Sequence, residues 1–199
     1  MTITWPAIVG RNRLYLGIVL AVVYLSMIPL ANYAIEHWGT QFEPGGPFLI
    51  HLFWWPFSDL WAPSGVIFIG FAFLARDMVQ RVLGKWVALG AIAIGIFLSA
   101  LLSSPGLVIA SAVAFGFSEV ADFSVYTPLV KRSLWFAVIA SGVVGSFIDS
   151  FLFLQIAFGS TMFWQGQVVG KISMNVFALP FIYLLRKVTP EPVEAEVAA

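Results

Sequence analysis

Hydrophobic positions in this chain do not alternate with polar ones at a helical or strand period; they gather into long apolar runs parted by short polar breaks. Six such runs, 14–35, 64–83, 86–103, 106–129, 134–158 and 168–186, come close to the roughly 20 residues that a helix needs to cross a bilayer core. The pattern predicts an all-α integral membrane protein, with one six-helix domain over 1–188. Two runs are incomplete. Uninterrupted apolar residues in 66–75 and 107–117 stop before a full crossing, so helices there must carry ionisable residues into the membrane. The apolar start at 3–10 is too short for a signal-peptide core, and the first span is expected to be retained. Segment 47–61 holds Trp54, Trp55 and Trp61 but is broken by Pro56, Ser58 and Asp59, which fits a half-inserted or interfacial stretch. The end, 189–199, alternates Pro190 and Pro192 with Glu191, Glu194 and Glu196 and reads as a disordered cytoplasmic tail.

Lys and Arg set the orientation, because basic loops remain cytoplasmic. Arg11 and Arg13 precede the first span, Arg81 and Lys85 join the second to the third, Lys131 and Arg132 join the fourth to the fifth, and Arg186 and Lys187 follow the sixth. The alternate loops, 36–47, 103–106 and 159–167, contain no Lys or Arg. Six spans with both termini inside satisfy the rule, and removing either incomplete span would spoil it.

Composition narrows the function. Of 199 residues 60% are hydrophobic and 10% charged, against roughly 25% charged in a soluble domain. Ten basic residues balance ten acidic ones, leaving no field for nucleic acid. Cys is absent, and His37 and His51 alone cannot build a metal centre, so neither a metal nor another cofactor is implied. No G-x-S-x-G, H-E-x-x-H or Walker loop occurs, and Ser64 in Pro63-Ser64-Gly65 has only His51 as a nearby base. No catalytic residue is therefore expected.

The informative residues are charges inside spans: Arg76, Asp77, Glu119, Asp122, Asp149 and Lys171. Each costs about 2.5–3.5 kcal/mol at the bilayer centre on insertion scales, so such residues are functional hypotheses by default. Glu119 lies about 18 Å along its helix from Lys131, and Asp149 about 22 Å beyond Leu134, depths from which neither reaches the headgroups. Arg76 and Lys171 lie nearer opposite interfaces, within the reach of snorkelling. Glu119 and Asp122 share a helix face, flanked by Ser118 and by Tyr126 one turn on. Arg76 stacks with Gln80, and Asp77 with Arg81 on a neighbouring face, where a simple Asp77–Arg81 pair is the bland alternative. Ser141, Gly142, Gly145 and Ser146 lead to Asp149 and Ser150, and Gly166 and Gly170 lead to Lys171; small residues of this kind usually serve helix packing. The structural alternative for the charges is pairing, Asp149 with Lys171 and Glu119 or Asp122 with Arg76. Buried pairs stabilise less than apolar packing, which favours a ligand or ion pathway. Ionised carboxylates only accept hydrogen bonds, so a guanine-like edge, with ring N–H beside an exocyclic amine, is their natural partner.

These same residues carry a resemblance. The runs Ala75-Arg76-Asp77-Met78-Val79-Gln80, Phe117-Ser118-Glu119-Val120-Ala121-Asp122, Val125-Tyr126-Thr127-Pro128-Leu129, Gly145-Ser146-Phe147-Ile148-Asp149-Ser150-Phe151, Ala157-Phe158-Gly159 and Gly170-Lys171 are similar in order and spacing to the VUT family of vitamin uptake transporters, also called queuosine precursor transporters. The resemblance spans about 62–187. It departs where members often carry Asn shortly before the span-five Asp, a position at which this chain has Gly142 and Ser146. It implies a bacterial inner-membrane importer of deazaguanine bases (7-cyano-7-deazaguanine, its aminomethyl relative preQ1, or queuine) for tRNA modification. The implied polar site comprises Asp149, Glu119, Asp122, Arg76, Asp77, Gln80 and Lys171, to which the helix faces add Ser118, Ser150 and Tyr126. The expected partners are a purine-like small molecule and the lipid bilayer, with a homodimer left open. Alternating exposure with one titrating carboxylate is the expected mechanism. The alternatives are a substrate-binding subunit of an energy-coupling-factor vitamin transporter, an intramembrane enzyme built on Ser64 or Asp149, and a purely structural bundle.

Overall fold

The computed structural model describes residues 10–42, 44, 46–52, 59–103, 105, 107–177 and 179–188. Its elements run α1 (Arg11–His37), β1 (Leu49–His51), β2 (Trp61–Pro63), α2 (Val66–Leu83), α3 (Lys85–Leu102), α4 (Val108–Leu129), α5 (Leu134–Phe158), α6 (Trp164–Phe177) and α7 (Leu179–Val188). The protein is all-α apart from one antiparallel pair of short strands, with Leu49 opposite Pro63, Ile50 opposite Ala62 and His51 opposite Trp61. That pair lies partly within the segment expected to be interfacial; Trp54, Trp55, Pro56 and Ser58 fall outside the described residues, as does the tail. In α6 helix begins at Trp164, four residues before the apolar run, because the polar turn around Gln167 is buried rather than solvated.

Helices α1, α3, α4, α5 and the stretch Trp164–Leu184 are long and apolar enough to cross a membrane. Their outward faces are bare hydrocarbon and ring: Val22 on α1, Phe97 on α3, Phe117 on α4 and Phe151 on α5 are all exposed. Such surface is unsustainable in water and suited to lipid. Helix α2 is different. It has the same 18 residues as α3 but carries Arg76, Asp77 and Arg81. Every residue from Ala72 to Leu83 is buried, and α2 packs against α1, α3, α4, α5 and α6. Its charges are tolerable because other helices, not lipid, surround it.

Local signals set the joints. Gly84 alone separates α2 from α3; its φ of 90° is a left-handed conformation that glycine adopts without Cβ strain. Ser133 caps α5 by accepting the Phe136 N–H, and Gly159, at φ 62°, ends it. At the end of the bundle remote from the basic loops, α1 is clamped to the start of α2. Ser64 donates its hydroxyl to the Ala34 carbonyl at 2.6 Å, and a Cβ on Gly65 would lie 2.8 Å from the Ala31 carbonyl oxygen. Ser64 is thus a buried clamp. α5 meets its neighbours through its small residues: Gly145 lies against Asp122 and Phe73, and Gly142 lies against the Asn175 amide of α6.

Candidate functional site

The span charges converge in two connected clusters. In the first, α2 carries Arg76, fully enclosed, whose guanidinium faces three carboxylates: Asp77 at 2.6 Å, Glu119 at 3.0 Å and Asp122. The Tyr126 ring lies under the same guanidinium, 5.9 Å from its centroid. Ser141 of α5 donates to Asp77 at 3.3 Å. The stripe Ser118, Glu119, Asp122 and Tyr126 on α4 is wholly buried, as its spacing predicts.

The second cluster joins α5 to α6. Lys171 donates to Asp149 at 2.5 Å, to Ser150 at 2.9 Å and to the Gln167 side-chain carbonyl at 2.7 Å. An ammonium has three N–H donors, so all three are engaged. Ser118 approaches the other Asp149 oxygen at 3.4 Å, which links the two clusters through α4.

Arg76 and Lys171 do not snorkel. Both are enclosed, because carboxylates on facing helices neutralise them more closely than headgroups would. Asp77 meets its neighbour Arg76 on α2 and accepts from Ser141 of α5 across the bundle. Gln80 sits further along α2 and donates to Thr127 of α4 at 3.0 Å, tying the helices together.

Beside the second cluster is a cavity of about 50 Å³. Asp149, Lys171 and Gln167 form one wall, Phe115 and Phe153 supply rings, and α1 and α4 contribute Asn32 and Ser111. Ser118, Ser150 and the residues of the Arg76 cluster do not line it. Of the residues predicted for the site, only Asp149 and Lys171 do so. Asn32, Ser111, Gln167 and Ser99, which also lines the cavity, were not predicted, because charge was the criterion for anomalous polarity. A search for neutral amides within apolar runs would have found Asn32.

A family model described as "Putative vitamin uptake transporter" matches residues 98–185. This stretch runs from the end of α3 into α7 and contains Ser118, Glu119, Asp122, Tyr126, Asp149, Ser150 and Lys171. The match agrees with the resemblance seen in the motifs, and with the long apolar helices it supports a multi-pass membrane protein of transporter type. Arg76, Asp77 and Asn32 precede the matched residues. No curated protein and no solved structure matches the chain.

Proposed function

We propose that this protein imports a deazaguanine base, a queuosine precursor, across a bacterial inner membrane, with six spans and both termini in the cytoplasm. The observation that carries the reading is the cavity in which an Asp149 carboxylate, held by Lys171, faces rings from α4 and α5. A carboxylate accepts two parallel N–H bonds from a guanine-type edge, and Phe115 and Phe153 cover the faces of a flat ring. The basic loops lie at the opposite end of the bundle, so with those loops inside the cavity opens outward.

A cavity of about 50 Å³ has room for a few waters, less than a bicyclic base requires, so loading needs the walls to part. Pro29, one turn before Asn32, removes a backbone hydrogen bond from α1 and makes it the wall best able to bend. The Arg76 cluster lies beyond the cavity, sealed, with three carboxylates to one guanidinium. We assign it the coupling proton; collapsing the proton gradient will then abolish accumulation while leaving exchange of internal for external base.

The deciding experiment measures queuosine in tRNA of a bacterial strain lacking precursor synthesis and its own importer, fed nanomolar base. Expression of this chain will restore queuosine, and Asp149→Asn at equal membrane levels will not. No restoration with any of the three bases, from a folded protein in the membrane, overturns the substrate. A second reading, a substrate-binding subunit of an energy-coupling-factor vitamin transporter, is favoured by the vitamin-uptake description of the family match. It predicts co-purification with a nucleotide-binding complex.

A further inference from the structure

Two polar atoms in the cavity wall have no partner: the Asn32 side-chain nitrogen on α1 and the Ser111 hydroxyl on α4. Both are shut off from solvent at the atom, and Ser111 as a whole is only 6% exposed. An unmade hydrogen bond of this kind costs about 1–3 kcal/mol, and buried polar groups in native proteins are nearly always satisfied. Two such groups on one cavity are satisfied together if a ligand occupies it.

The second cluster limits which edge of the ligand they meet. Asp149 can only accept, so it takes the ligand's N–H groups. Lys171 is the obvious donor for an adjacent carbonyl, but its three N–H groups are engaged by Asp149, Ser150 and Gln167. Donors in the wall that have no partner are the Asn32 amide and, as a second, the Ser111 hydroxyl. Asn32 is held there by the clamp that joins α1 to α2, through Ala31 against Gly65 and Ala34 to Ser64.

We infer that Asn32 and Ser111 are specificity-determining residues that read the carbonyl of a planar lactam, while Asp149 takes the N–H edge beside it. This rests on the deazaguanine reading and deepens it. The site then rejects the ring in which the carbonyl is replaced by an amine, since that amine presents a donor to donors and the neighbouring ring nitrogen loses the N–H that Asp149 takes. A site built around a hydrogen bond discriminates strongly against an analogue that cannot make it.

The test is competition binding on the full chain purified in detergent, with labelled 7-cyano-7-deazaguanine as probe. The competitors are the unlabelled lactam and its counterpart with an amine in place of the carbonyl. The intact protein will prefer the lactam at least tenfold. Asn32→Leu, of similar volume without a donor, will reduce that preference at least threefold, by weakening lactam binding and not that of the amine; the share of the preference that remains belongs to Asp149. Ser111→Ala, a deletion that fits any helix, will reduce it by a smaller factor and decides the matter should Asn32→Leu fail to fold. Retention of the full preference in whichever variants fold overturns the inference and leaves the substrate reading intact. Failure of the folded intact chain to bind either competitor overturns both.

Discussion

Lys171 shows how much a single side chain carries here. It is enclosed, and its three donors hold Asp149, Ser150 and Gln167 in one arrangement. Removing one member of a buried ion pair leaves the other uncompensated, at a cost of about 3–5 kcal/mol, whereas replacing both by apolar groups of similar volume is often neutral. Lys171→Met is therefore expected to lower thermal stability in detergent strongly, and Lys171→Met combined with Asp149→Leu to recover most of it. Uptake will stay absent in both. Recovery of uptake with recovery of stability would make the pair a structural staple and remove Asp149 from the substrate path.

The element scale is set by close approach between helices. On α5 a Cβ at Gly142 would overlap the Asn175 amide of α6, so Gly142→Ala is expected to cost about 1–3 kcal/mol, as overpacking does in closed cores. Shortening the neighbour in the double variant Gly142→Ala/Asn175→Ala will relieve it, read as unfolding temperature against the single variants. If the double variant is no more stable than Gly142→Ala, the contact is not what excludes a side chain. The elements themselves were legible because apolar run length is a strong signal, and α1, α3, α4 and α5 begin and end within a few residues of their runs. The stripe on α4 was legible because helical spacing puts Ser118, Glu119, Asp122 and Tyr126 on one side regardless of what packs there. The pairing of β1 with β2 was not, since each strand has only three residues and neither has a period to read. Nor was the cavity, which depends on how α6 sits against α5 and α2, a relation between faces that no local pattern encodes; the Lys171–Gln167 contact, four residues apart on α6, was open to the same reading as the stripe.

At the scale of the whole molecule, polarity is turned inside out: hydrocarbon faces outward, and Arg76, Asp77, Glu119, Asp122, Asp149 and Lys171 meet in the interior. Helix α2 stands at the centre of that inversion, and this bears on how the protein is made. During synthesis α2 leaves the ribosome before α4 and α5, which supply Glu119, Asp122 and Ser141 to its charges. Alone, Arg76 and Asp77 together oppose insertion by about 5–7 kcal/mol on translocon scales. If α2 is a crossing, as proposed, it is expected to enter the bilayer late, drawn in by helices that follow it. Chains truncated after α3 and carrying glycosylation acceptors beside α2 will report it outside the membrane, and chains extended through α5 will report it across. A stable crossing in the shorter chain would mean that α1 and α3 suffice to shelter the charges. Otherwise the half-made protein is topologically unfinished until its fifth helix emerges, and the same carboxylates that line the mature interior also complete its assembly.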